Sequence, residues 1–152
     1  MWLLGHMALG YFSGVTVNRF TKERVFIPLL WVSALLPDLD ELFRGYLIHR
    51  GPTHSIIVAI AIFLPIYILT KKGLPYFSAL ASHSLIGDFF EPPLMLFWPL
   101  SNYEFSAPAF LQINGVMIII VEMSLFLLML FFMNKNMVKN KDFSWSSLLY
   151  IG

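Results

Sequence analysis

The chain contains no cysteine. Disulfides and thiolate metal ligands are both excluded. Any metal here must be held by imidazole nitrogen and carboxylate oxygen. Charge is also scarce. Only 12% of the 152 residues are Asp, Glu, Lys or Arg, against about a quarter in an ordinary soluble domain. The apolar fraction is 58%, so the chain cannot cover a water-facing surface with polar groups, and lipid is the expected solvent. The basic residues are few and scattered, with a net charge of +1. No nucleic-acid partner is expected on that balance. Repeats and low-complexity segments are lacking too. The apolar N-terminus "MWLLGHMALGYFSGVTVNRF" lacks the positive n-region of a signal peptide and carries a histidine inside its run, so cleavage is not expected.

What the chain does have is long apolar runs. The longest, Phe110 to Met133, carries one charge, Glu122, and is long enough to cross a bilayer. Ser55 to Thr70 and Leu74 to Phe90 flank Lys71, Lys72 and Gly73 and read as a helical hairpin. Trp2 to Val17 and Val25 to Leu36 form another pair around "NRFTKER". The expected fold is an all-α, polytopic membrane bundle of about five helices. Residues 1–152 form a single domain, with a core over 1–101, a C-terminal transmembrane helix near 110–133 and a polar tail over 134–152. Several runs are shorter than the roughly 20 residues of an average span.

Lys and Arg set the expected orientation, because they stay on the cytoplasmic side. Arg19, Lys22 and Arg24 lie in the first turn, Lys71 and Lys72 in the second, and Lys135, Lys139 and Lys141 in the tail. Five crossings put all three clusters on one face and make the C-terminus cytoplasmic. Arg44 and Arg50 fall on the other face. That outer face also receives all four histidines, His6, His49, His54 and His83, together with Asp38, Asp40 and Asp88; Glu41 and Glu91 lie beside them. None of these residues entered the orientation argument, so their convergence is a separate result.

Their spacing suits a metal site. In "LLPDLDELF", Asp38 and Asp40 share a side if the stretch is extended, and Pro37 makes a break there plausible. In "HRGPTHS", Gly51 and Pro52 allow a turn that returns His49 toward His54, and Thr53 or Ser55 could cap the following helix. The bland readings are an interhelical hydrogen bond for His6, a solvated cap for the Asp pair and a carboxylate or lipid phosphate partner for Arg50. Glu122 is either a helix contact or an isolated functional acid. The combination, not any single member, points to metal. Imidazole plus carboxylate suits zinc first, with manganese or iron as alternatives. Seven ligands exceed one tetrahedral ion and would serve two neighbouring ions.

The ordered set "GHMALG", "LPDLD", "HRGPTHS", "SHSLIGD" and "LFWPLS" over residues 1–101 resembles the YdjM-like family. Its members are described as LexA-binding, inner-membrane-associated, metal-dependent hydrolases. The resemblance implies His6, Asp38, Asp40, His49, His54, His83 and Asp88 as the metal set. It carries over no LexA link. One departure stands out. The family's last His/Asp pair is four apart, on one helix face. Here His83 and Asp88 are five apart, with Gly87 at the usual position. Either a bulge near Gly87 restores the alignment or Asp88 stands behind the ligands.

The expected function is metal-assisted hydrolysis of a phosphoester or lipid-linked substrate at the extracytoplasmic membrane face. Asp38, Asp40, His49, His54 and His83 would be ligands, with His6 a further ligand or an orienting partner. Glu41, or a carboxylate such as Asp38 released from the metal, would move the proton. Arg44 and Arg50 would hold an anionic group. The expected partners are membrane lipid and a small-molecule or lipid substrate. Gly10 and Gly14 permit close helix packing, within one chain or between two in an oligomer. Two rivals share the ligands: a divalent-metal transporter and a protein with a purely structural metal. A transporter needs a polar path inward, and the inner half offers little beyond Ser13, Thr16 and Ser78.

Overall fold

The computed structural model describes residues 3–43, 45–46, 48–90, 93–112, 115–139 and 149–151. Arg44, Glu91 and Lys141 of the sequence reading lie outside them. Five α-helices account for most of the described chain: α1 (Leu3–Thr21), α2 (Ile27–Leu35), α3 (Ile56–Thr70), α4 (Leu74–Ser82) and α5 (Gly115–Lys139). Strands β1 (Val25–Phe26) and β2 (Tyr150–Ile151) pair antiparallel and tie the C-terminal segment to the turn after α1.

Helices α1, α2 and α4 form the core, and small residues on α1 let the backbones meet. A Cβ at Gly10 would lie 2.5 Å from the Ala34 Cβ, and one at Gly14 would lie 2.5 Å from Leu30 Cδ2. This glycine face therefore packs within the chain, against α2. Tyr11, Leu30, Ala34 and Ala79 are fully or almost fully buried there.

Among the described residues, one helix is long and apolar enough to cross a membrane, over Gly115–Lys135. It begins later than the expected residue 110, because Ala109–Leu111 forms a separate 3-10 turn that ends at extended Gln112. Ile118, Glu122 and Met129 bury one stripe of α5, while Ile119, Ile120, Met123, Leu127, Leu130 and Phe131 stay exposed. An apolar helix exposed over most of its circumference is what lipid requires. Helix α3 is apolar too, but only 15 residues long.

Two features of the site end differ from the sequence reading. Leu36–Phe43, expected to be extended, is a 3-10 helix continuing α2. Pro37 lies at the change of winding, and the Ala34 carbonyl, which its missing N–H leaves free at i−3, is engaged by the His83 ring. The second concerns the end of α4. It runs into a π-turn, His83–Gly87, and then a 3-10 turn, Asp88–Phe90. The Asp88 N–H donates to the His83 carbonyl, closing the wide ring of a π-bulge.

Candidate metal centre

The π-turn sets the geometry of the site. Five residues of α-helix would rotate Asp88 well away from His83, whereas one wider turn returns it to nearly the same side. Of the two alternatives left open by the spacing, the bulge is present, and both side chains point to one place. Gly87 is required by the same arrangement. A Cβ there would lie 2.5 and 2.6 Å from Cε1 and Nδ1 of His6, so only glycine lets α1 bring His6 against this turn.

Four ligand atoms converge: Asp38 Oδ1, His54 Nε2, His83 Nε2 and Asp88 Oδ2. His54 Nε2 lies 3.4 Å from Asp38, 3.3 Å from Asp88 and 3.1 Å from His83 Nε2. His83 Nε2 lies 3.3 Å from Asp38 and 3.6 Å from Asp88. All four lie within 4.8 Å of one another. The five distances from His54 and His83 match the roughly 3.3 Å edge of a tetrahedron whose centre lies about 2.0 Å from each vertex, the zinc–nitrogen and zinc–oxygen bond length.

The other ring nitrogens are engaged outside the cluster. His83 Nδ1 lies 2.6 Å from the Ala34 carbonyl, so Nδ1 carries the proton and donates it. His54 Nδ1 lies 3.4 Å from Asp40 Oδ2 and 3.1 Å from the Thr53 hydroxyl. The Thr53 hydroxyl gives its own proton to Asp40 Oδ2 and is therefore the acceptor for the His54 Nδ1 proton. The two Nε2 atoms then face each other with lone pairs, beside two carboxylates. Such an arrangement needs positive charge between its members. Without an ion, protons supply it. Burial opposes the charged form of His54, but hydrogen bonds to Asp38 and Asp88 outweigh it and raise the pKa above its usual value. Burial likewise works against ionised Asp38, yet hydrogen bonds from His54 and His83 hold its carboxyl well below the usual carboxylate range.

The remaining candidates stand around the four. Asp40 diverges from Asp38, because residues two apart on a 3-10 turn point about 120° apart. It accepts a 2.7 Å hydrogen bond from Thr53 and lies 3.0 Å from His49 Nδ1. His49 sits between two carboxylates, with Nε2 3.3 Å from Glu41 Oε1. Asp40, His49 and His54 form a second grouping with metal-ligand spacing. His6 stacks on His83 at 3.7 Å between ring centroids, and its Nε2 lies 3.3 Å from Asp88 Oδ1. Arg50 adopts φ 61° and brings Nε within 3.4 Å of Asp88 Oδ2.

A cavity of about 460 Å³ adjoins this group, lined by Glu41, His49, Arg50 and Glu104 among others. Glu104 was not legible in the sequence. It arrives on a loop held by the isolated bridge Leu94–Phe105 and by the Ser55 hydroxyl, which donates to the Trp98 carbonyl. Ser55 also caps α3, accepting from the Ile57 and Val58 N–H groups.

The fold and site thus define a mostly helical protein with an apolar helix suited to a membrane and a buried His/Asp cluster able to hold a metal ion. The model of the YdjM inner membrane protein family matches residues 1–151, and the chain belongs to that family. No curated protein and no solved structure matches it.

Proposed function

We propose that the protein is a membrane-embedded, metal-dependent hydrolase acting on a phosphodiester, lipid-linked or otherwise held at headgroup depth. One observation carries the reading: two imidazole nitrogens and two carboxylate oxygens meet at coordination spacing beside a cavity lined in part by a guanidinium and two carboxylates.

Asp38, His54, His83 and Asp88 would hold the ion, and zinc fits the two-nitrogen, two-oxygen set. A bound divalent ion supplies Lewis acidity at that point. The chain's own residues do the rest. Thr53 fixes the tautomer of His54, and Asp40 fixes Thr53. His6 holds Asp88 from behind. Arg50 presents positive charge to an anionic group entering the cavity. Glu41 Oε1, next to His49, is placed to take a proton from water. Glu41 and Glu104 share the cavity wall with Arg50. Two carboxylates repel a dianionic monoester more than a singly charged diester, which favours the diester. Asp38 is 29% exposed, so a substrate reaching the cluster meets this ligand first.

The polytopic arrangement belongs to the same proposal. Three clusters of basic residues support an extracytoplasmic metal site and a cytoplasmic C-terminus. A second reading is a structural ion, favoured by four protein atoms at coordination spacing, enough to fill a tetrahedral shell. Elemental analysis of purified protein, followed by a phosphodiester and carboxylester screen with and without chelator, separates the two. Chelator-sensitive hydrolysis, restored by added metal, supports the enzyme. Retained metal with no turnover of any ester supports the structural ion, and no metal at all contradicts both.

A further inference from the structure

The opposite end of α1 carries a second built cavity. Sixteen residues separate His6 from Lys22, which on a helix is roughly 24 Å, most of the roughly 30 Å hydrocarbon thickness of a bilayer. There the α1–α2 and α3–α4 turns meet. A cavity of about 480 Å³ lies between them, lined by Thr21, Lys22, Glu23, Arg24, Tyr67, Lys71, Lys72 and Leu74. Four cations and one carboxylate line it.

The carboxylate is already engaged. Glu23 Oε2 accepts a 2.7 Å hydrogen bond from the Gly73 N–H, clamping one turn to the other. Asn18 Oδ1 accepts from the Glu23 N–H at 2.9 Å and fixes the same turn from below. Arg24 lies over the Tyr150 ring at 4.3 Å. Among the described residues, none of Lys22, Arg24, Lys71 and Lys72 has a carboxylate within ion-pair distance.

Backbone conformation adds an independent observation. Lys22 and Lys71 have φ of 52° and 54°, in the left-handed region. Glycine or asparagine is the usual residue there, because a Cβ is disfavoured. Both turns instead place a lysine at the strained position, and both lysines line the cavity.

The surroundings identify the ligand. Phe20 and Leu69 flank these turns and are each 84% exposed, and Ile66 and Ile68 of α3 are exposed as well. A soluble anion has no use for such a rim. An anionic amphiphile does, with its phosphate among the cations and its chains along the apolar side chains. We infer that the two turns form a binding site for the headgroup of an anionic phospholipid.

The test uses the full chain in nanodiscs of phosphatidylcholine, with and without phosphatidylglycerol. Phosphatidylglycerol raises the thermal midpoint of the wild type, and the rise shrinks with salt. Lys72→Gln weakens lipid binding about fivefold, and the double variant Lys22→Asn, Lys71→Asn about 25-fold, at about 1 kcal/mol per cation. The double variant is at least as stable as wild type in phosphatidylcholine alone, since asparagine tolerates the left-handed region. Its metal content is unchanged, which separates this site from the His/Asp cluster. A wild type indifferent to phosphatidylglycerol, or variants that keep its full effect, would overturn the inference. So would equal stabilisation of the detergent-solubilised protein by inorganic phosphate, which would assign the cavity to a soluble anion.

Discussion

The two ends of α1 handle charge in opposite ways. At the His6 end the ionisable groups are buried and face one another: Asp40, His54, His83 and Asp88 are each about 1% exposed or less. At the Lys22 end the cations are exposed and face outward. Buried charge must be neutralised internally, by a proton or a metal ion. Exposed charge at a membrane edge attracts ligands from outside. The contrast ties each end to a different chemistry, and the ends should respond separately to substitution.

The largest effect is expected at the buried end. His54→Ala removes one proposed ligand and, among the described residues, the one ring that faces both the four-atom cluster and Asp40. Stoichiometric metal should be lost while the helical circular dichroism signal is retained; full metal content in that variant would count against the ligand set. Gly87→Ala comes next. The added methyl meets the His6 ring, at a cost of about 1–3 kcal/mol for overpacking. Thermal unfolding should show that loss together with weaker metal binding. If metal affinity is unchanged, the close approach of His6 to the π-turn is not needed for the site.

Asp40→Asn keeps shape but removes the charge behind His54. Metal affinity should fall about 10- to 100-fold, measured by competition with a chelating dye. A complete loss would move Asp40 into direct contact with the ion. The smallest effect belongs to the exposed end. Glu23→Gln weakens the clamp on Gly73, by about 1 kcal/mol, and should leave metal affinity at its wild-type value. A metal defect there would dissolve the separation of the two ends.

Acidity sharpens the same contrast. The folded pKa of His54 is raised. Its ion pairing in the ion-free protein is therefore complete below the unfolded pKa, about 6.5, and is lost as pH rises through the folded value. Metal binding needs the unprotonated Nε2, so it gains over the same interval. The thermal shift caused by zinc should grow from about pH 5.5 to about pH 8. A shift independent of pH would mean that no histidine gives up a proton to the ion.

Much of this was legible in the sequence, for physical reasons. Apolar runs marked the helices, since burial and lipid contact both demand them. Lysine and arginine in two short turns and in the tail, with five helices, set which ends were expected to lie together, and this gathered the four histidines with Asp38, Asp40 and Asp88. The division of that set was not legible. It depends on the 3-10 turn after α2, which sends Asp38 and Asp40 to different faces of His54, and on the π-turn that aligns Asp88 with His83. Both are departures from regular helix decided by tertiary contacts. The glycine at 87 was a visible signal for the second, and its reason, the His6 ring, comes from a helix eighty residues away. Glu104 reaches the cavity only through long-range loop contacts, which leave no periodic trace.

X-ray absorption at the metal edge of the purified protein tests the central claim most directly. About two imidazole nitrogens and two carboxylate oxygens are expected at about 2.0 Å, with the imidazole scattering lost in His54→Ala and His83→Ala. A protein that retains no metal, or one whose metal has only oxygen neighbours, would contradict that claim.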